Sequence, residues 1–175
     1  MSIQSKMPPT PSSWQFQKLA EASFDAANAA YADCQSRDTR SNEGEKNVET
    51  TFMSIAVAFL YFRAIELSLK AAILERQLAP PEMIPKKTLG HDIKNLIASA
   101  TNHSIGASAF TLADLGLNTA DKAFIEQYAD DYANKWFEYY FGPWDAPCLR
   151  ESQRIADLIL SAVRPIARTL PPSTL

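Results

Sequence analysis

The chain has 175 residues, 46% of them hydrophobic and 21% charged, with 18 aromatic side chains. That size and composition fit one domain with a substantial core and exclude extensive disorder away from the ends. The formal net charge of −3 supplies no broad positive field, which argues against a general binder of nucleic acid or anionic membrane.

Residues 1–12 are polar and proline-rich, with Pro8, Pro9 and Pro11, and read as a loose tail. Ser12 or Ser13 can cap a first helix by accepting from its free amides. Phe16, Ala20, Phe24, Ala27, Tyr31 and Cys34 then recur at steps of three and four, giving one apolar face. The segment 36–46, with Gly44, reads as a solvated connection. A second helix is expected from about Asn47 to Leu78, stopped by Pro80 and Pro81. Val48, Phe52, Ile55, Phe59, Phe62, Leu69 and Ile73 form one face of it, and Leu60, Ala64, Leu67, Ala71 and Leu74 fill another. A helix apolar most of the way round belongs at the centre of a domain.

A loop through Pro85 and Gly90 leads to a short helix, Asp92 to Ala100, and a turn-like stretch over 101–110 follows. Thr119 is the expected cap of a fourth helix, with Asp121 near its positive end and Phe124, Tyr128, Tyr132 and Trp136 as its apolar line. A break at 142–148 precedes the last helix. There Ile155, Leu158, Ile159, Ala162, Val163 and Ile166 should face inward, with Pro165 shortening the final turns. The expected fold is an all-α, up-and-down bundle of four or five helices with a long central second helix, spanning residues 13–170 and followed by a tail at 171–175.

The opening residues lack the apolar stretch of a signal peptide, and the longest apolar run, Phe52 to Phe62, is short against a bilayer core of ~30 Å. The expectation is a cytoplasmic protein with no membrane partner. Two distant cysteines, Cys34 and Cys148, form no disulfide framework and no metal spacing. Five glycines, none in a phosphate-loop arrangement, indicate no nucleotide cofactor motif. No cofactor and no metal are expected.

The central helix carries three charges in one line. At about 100° per residue, Arg63, Glu66 and Lys70 fall within about 60° of one another. Glu66 stands where the apolar series Phe59, Phe62, Leu69 calls for another leucine. A buried carboxylate is costly unless paired and hydrogen-bonded, and Arg63 and Lys70 lie one turn to either side. The local sum is one positive charge too many, so a second carboxylate is expected, with Asp92 as the candidate.

RAIELSLKAAILERQ (63–77), followed after a proline-rich loop by GHDIKNLI (90–97), resembles the HEPN superfamily of small prokaryotic helical domains. Many members carry a Glu-x-x-x-Lys segment on a long apolar helix, then a His-Asp-Leu turn opening the next. Glu66 and Lys70 match the first element; His91, Asp92 and the substituted Ile93 match the second. The resemblance covers about residues 60–100 and is only topological beyond, where NKWFEYY replaces the family's frequent Arg-Tyr. It implies a four- or five-helix bundle that often dimerises and works beside nucleotidyltransferases or in toxin–antitoxin and phage-defence systems. Members with ribonuclease activity carry Arg, four to six residues, then His. Neither Met83 to Lys87, before His91, nor Asn95 to Ser99, before His103, contains an arginine; Lys86 and Lys87 are the only near substitutes. A ribonuclease of that type is therefore not expected.

His91 beside Asp92 could form a general base with its orienting carboxylate, but adjacent residues rarely reach that geometry. The favoured reading has Asp92 satisfying free amides in the first turn while His91 bonds to the central helix. Tyr132, Trp136, Tyr139, Tyr140 and Trp144 are a candidate aromatic groove. Their acidic neighbours Glu126, Asp130, Asp131, Glu138 and Asp145 oppose a phosphate backbone, so bundle closure or a dimer interface is the favoured role. Arg150, Arg154, Arg164 and Arg168 form a candidate basic face on the last helix, read first as a solvated, internally paired surface. The functional expectation is a non-catalytic HEPN-like module. It is expected to be homodimeric, with a nucleotidyltransferase-type protein or, more weakly, RNA or a nucleotide as partner. The alternative is a divergent ribonuclease or nucleotide-processing enzyme using His91 with Glu66, Lys70 or Arg63.

Overall fold

The computed structural model describes residues 11–38, 48–84, 89–102, 109–135 and 147–167. Among them are five α-helices, two short 3₁₀ turns at Pro81–Met83 and Ala113–Leu115, and no strand. The chain is an all-α helical bundle.

Helix α1 (Ser13–Asp38) starts at Ser12, whose Oγ accepts from the Gln15 amide at 3.3 Å while Gln15 Oε1 accepts from the Ser12 amide at 2.8 Å. This reciprocal pair satisfies two amides that the helix itself leaves unbonded. Ser13 does something else: its hydroxyl donates to Glu75 at 2.7 Å, tying the start of α1 to the end of α2. Phe16, Ala20, Ala27 and Cys34 are buried, with Phe24 and Tyr31 half-buried against them. The helix runs through Asp38, three residues into the expected connection; the rest of that connection, including Gly44, lies outside the described residues.

Helix α2 (Val48–Glu75) packs against α1 most extensively, and also against α3 (Ile93–Ala100) and α5 (Leu149–Val163). From Tyr61 to Ile73 every residue except Arg63 is buried, which follows from apolar residues on all faces. Phe52 departs from the expected line, being 53% exposed. The end of α2 is also not set by its prolines. Gln77 turns into the left-handed region at φ 55°, its amide donates to Leu74 O, and the Leu78 amide donates to Ile73 O at 2.9 Å. These two bonds are a Schellman closure, anchored by the buried Leu78, and they stop the helix before Pro80 is reached. The stretch Phe52–Glu75 is long and apolar enough to cross a membrane by length and composition, contrary to the expectation from the shorter run. It is mostly buried in the bundle, as the core helix of a soluble protein would be.

Asn28 joins three helices: its Oδ1 accepts from the Tyr61 hydroxyl and from Gln153 Nε2, both at 2.8 Å. Arg164 adds a second link between the C-cap of α5 and α1 through Glu21 at 3.0 Å. The helix α4 (Thr119–Ala133) is capped by Asn118 rather than Thr119. The Asn118 side chain accepts from the Asp121 amide at 3.0 Å, and Asp121 accepts from the Asn118 amide at 2.9 Å. Asparagine one residue earlier leaves Asp121 at the third helical position, which the reciprocal box requires. The inner line of α4 is Asp121, Ile125, Ala129 and Tyr132, while Phe124 and Tyr128 are half-buried.

Gly116 ends the second 3₁₀ turn at φ 71°, and a Cβ there would meet Leu158 at 3.4 Å. The backbone angle favours glycine there, while the contact with α5 would be an ordinary van der Waals one. On α5, Ser152, Ile155, Ala156, Ile159, Leu160 and Val163 are buried. The expected inward residues Leu158, Ala162 and Ile166 are half-buried, and the helix ends two residues before Pro165. Cys34 is buried and Cys148 exposed, and neither is in a disulfide.

Candidate functional site

The centre of the site is Glu66, with no exposed surface, in the middle of α2. Helical spacing delivers two cations to it. Arg63 Nη1 donates to both carboxylate oxygens at 2.9 and 2.8 Å, and Lys70 Nζ donates to Oε1. Lys70 is itself nearly enclosed, at 7% side-chain exposure, with its ammonium 5.9 Å from the ring centre of Phe16 on α1. Two further groups arrive from other elements. The Tyr132 hydroxyl, on α4, donates to Oε2 at 2.5 Å, and His91 Nδ1, just ahead of α3, lies 3.2 Å from the same oxygen. With a carboxylate as acceptor, Nδ1 is the nitrogen that carries the proton.

Burial alone would raise the Glu66 carboxyl. The charges of Lys70 and Arg63, with the bonds from Lys70 and Tyr132, outweigh it and hold the group below the usual carboxylate range. Tyr132 moves the other way: burial, then the adjacent Glu66 charge, raises its hydroxyl well above the ordinary phenol range. Burial disfavours the Arg63 charge, but Glu66 more than compensates and raises its already high value. Glu66 is thus a fixed anion and Tyr132 a fixed donor, so neither is poised to exchange a proton near neutrality.

Asp92 does not enter this network. Its Oδ1 accepts from the Asn95 amide at 3.0 Å and its Oδ2 from Asn95 Nδ2 at 2.7 Å, so it caps α3. Among the described residues no second carboxylate joins Glu66 in the site. The fifth member is a neutral tyrosine, so the described members of the network carry one more positive than negative charge.

That surplus faces an opening. Arg63, 33% exposed at its side chain, and His91, 57% exposed, line a cavity of about 240 Å³ with Phe59, Tyr132 and Lys135. Phe59 and Tyr132 pack ring to ring at 5.7 Å with a 34° tilt, and His91 stands edge-on to Tyr132 at 6.5 Å. Lys135 follows the C-cap Asn134 of α4 at φ 62°, and its amide closes onto Tyr132 O at 3.1 Å.

The structure therefore brings together Arg63, Glu66, Lys70, His91 and Tyr132, and leaves Asp92 apart. Trp136, Tyr139, Tyr140 and Trp144 lie outside the described residues, as do Lys86, Lys87, His103 and Arg168. On the basic face, Arg154 bonds Asp121 and reaches Glu151 at 2.8 Å, and Arg164 is held by Glu21. Arg150 is exposed. Burial raises the Asp121 carboxyl, but the bond from Arg154 and the Asn118 cap prevail and lower it. Among the described residues no group of three or more His, Cys, Asp or Glu side chains could hold a metal ion.

Phe59 and Lys135 were not anticipated as site residues. Phe59 reads as one more core aromatic. Lys135 becomes visible only as a helix end, since Asn-Lys after an apolar line resembles a C-terminal cap followed by a left-handed position. Compared with family models, with curated proteins and with solved structures, the chain has no match.

Proposed function

We propose that this chain is a non-catalytic, HEPN-like interaction module whose functional surface is the cavity beside Glu66. The observation that carries the reading is the state of Glu66: fully buried and bonded by Arg63, Lys70 and Tyr132, with His91 Nδ1 in reach. A carboxylate with that many donors is a structural anchor, since a general base needs a free lone pair aimed at the substrate. The anchor fixes Arg63 and His91, whose outer edges remain accessible for recognition.

Support for the HEPN-like part comes from the two segments that carry the resemblance. They meet in space through Glu66 and His91, while Asp92 opens the next helix as its cap. On this reading the module works as a homodimer beside a protein or nucleotide partner, in a cytoplasmic setting of the toxin–antitoxin or phage-defence kind. The second reading, a divergent ribonuclease or nucleotide-processing enzyme, draws on the exposure of His91 beside Arg63.

One experiment separates them. Purified protein is incubated with single-stranded RNA and with nucleoside triphosphates, in parallel with His91→Ala. No turnover in either sample is the expected result. Turnover abolished by His91→Ala with an unchanged melting temperature would establish the enzyme instead.

A further inference from the structure

Helix α4 is held differently at its two ends. Ahead of its N-terminus, Gly116 stands at φ 71° between the buried Leu115 and Leu117, and the Leu117 amide donates to Leu112 O at 2.8 Å. The reciprocal box of Asn118 and Asp121 follows. Arg154 on α5 then bonds the buried Asp121 carboxylate, which joins the start of α4 to α5.

The C-terminal half rests on lighter ties. The inner line Asp121, Ile125, Ala129 and Tyr132 contains one large aliphatic side chain, so aliphatic burial holds little of this helix. The backbone of α4 lies against α3, but α4 meets α2 chiefly through rings. Tyr128 packs on Phe62 at 6.4 Å, and Tyr132 packs on Phe62 and Phe59 at 5.9 and 5.7 Å. The Tyr132 hydroxyl adds its bond to Glu66. Lys94 on α3 reaches Asp130 at 2.6 Å, but an ion pair this exposed contributes little.

Departure of Tyr132 would leave Glu66 satisfied. Arg63 bonds both its oxygens, Lys70 bonds Oε1, and His91 Nδ1 lies 3.2 Å from Oε2. A buried carboxylate stripped of its donors is costly; this one keeps two cations and an imidazole, while the freed hydroxyl passes to water. The network therefore tolerates an open form.

We propose that α4 is a hinged arm whose C-terminal half swings away from α2 about Gly116–Asn118, with the Tyr132–Glu66 bond as its latch. Hinges absorb their change in backbone angles at a few positions beside element ends, and Gly116 with the extended Asn118 supplies them here. The inference rests on the reading of the cavity beside Glu66 as the functional surface, and names how access to that surface is regulated. Tyr132 is one wall of the cavity, so release of the latch turns a space of about 240 Å³ into a cleft along α2 that uncovers Phe59 and Phe62 beside Arg63 and His91. A partner that fills the cleft holds the arm open, in proportion to its preference for that form over the closed one.

The test uses the full chain with Cys148→Ser, which removes the exposed thiol, and Ala129→Cys, which puts a reporter on the buried inner line of α4. Labelling by a thiol reagent, assigned by peptide mass spectrometry, gives the fraction of molecules open at position 129; urea unfolding gives the fraction globally unfolded. The open fraction should exceed the unfolded fraction by about tenfold or more. Adding Tyr132→Phe should raise the open fraction by about tenfold. Adding Asn28→Ala, which removes the acceptor of Tyr61 and Gln153 away from α4, should raise the unfolded fraction and leave the open fraction unchanged. A reporter at the pinned end, Leu117→Cys, should label no faster than global unfolding allows. Should Ala129→Cys lower the melting temperature, Ile125→Cys on the same inner line takes its place.

Labelling at position 129 that follows the unfolded fraction in Asn28→Ala, or that ignores Tyr132→Phe, would overturn the arm. Labelling at position 117 as fast as at 129 would overturn the pivot. Turnover of RNA or nucleotide lost in His91→Ala would end the non-catalytic reading and leave the labelling pattern as it is, so the two failures are distinguishable.

Discussion

The hydroxyl of Tyr132, at the end of α4, donates to the carboxylate of Glu66 in the middle of α2, two residues 66 positions apart in sequence. The bond reaches the carboxylate from outside its own helix, as His91 also does, and it places the Tyr132 ring against Phe59 and Phe62 at 5.7 and 5.9 Å. The Tyr132→Phe change keeps those ring contacts and removes one bond to a charged acceptor. Such bonds contribute about 1.5–3 kcal/mol, so urea unfolding should show a loss in that range. A loss under about 0.5 kcal/mol would mean that the hydroxyl does not hold α4 to α2.

Glu66 itself should be more sensitive. Glu66→Gln preserves the volume but removes the charge that Lys70 and Arg63 neutralise, and Lys70 has almost no solvent to turn to. Glu66→Ala adds a cavity. Breaking a buried pair by removing one partner costs about 3–5 kcal/mol, and both variants should fall near that range by denaturant midpoint. If both retained wild-type stability, the buried network would have no energetic role.

The lowered Glu66 carboxyl also sets a pH dependence. Its folded value lies below the 4.5 of an unperturbed glutamate. The resulting stability is therefore present above that value and is lost as pH falls through the folded one. Asp121 and Glu21, lowered by Arg154 and by Lys18 with Arg164 against the opposing effect of burial, act in the same direction, so wild-type acid sensitivity alone is not diagnostic. The difference between wild type and Glu66→Gln is. It should shrink as pH is lowered from about 6 toward about 3, and a difference independent of pH would contradict the assignment.

The parts of the fold legible in the sequence are those that depend on local periodicity. The buried lines of α1 and α5 follow from three–four spacing, and the central place of α2 follows from apolar residues on every face. The polar core was half legible for the same reason: Arg63, Glu66 and Lys70 are helical neighbours, whereas Tyr132 reaches Glu66 only through the packing of α4 on α2. Asp92 illustrates the opposite error. Charge counting placed it in the network, whereas the other reading, that it satisfies free amides of the first turn, is the one the structure bears out through the Asn95 amide. The cap of α4 was misplaced by one residue because Asn118 and Thr119 are both competent caps; only Asn118 leaves Asp121 at the matching position. The Phe59–Lys135 cavity carries no periodic signal at all.

The end of α2 offers a stabilising change. Gln77 sits at φ 55° in the position where Schellman closures usually take glycine. The left-handed conformation costs an L-residue roughly 1–2 kcal/mol, while glycine loses about 0.5–1 kcal/mol more backbone freedom on folding. Gln77→Gly should therefore stabilise the chain by about 0.5–1 kcal/mol, seen as a higher melting temperature. Gln77→Val should lower it, since a β-branched residue tolerates this region least.

The arginines of α5 should divide by partner rather than by position. Arg154 bridges Asp121 in the α4 cap and Glu151 on its own helix, whereas Arg150 is exposed. Reversing Arg154 to glutamate places three carboxylates together and disturbs the box that opens α4. Because the Arg154 side chain is 44% exposed, solvent screening keeps the effect near that of an ordinary surface pair, a loss of about 1 kcal/mol. Arg150→Glu should stay within about 0.5 kcal/mol of wild type. The loss at Arg154 should also diminish in 1 M salt, where charges are screened over about 3 Å. Equal effects of the two reversals would show that α5 responds to its overall charge and not to the Asp121 bridge.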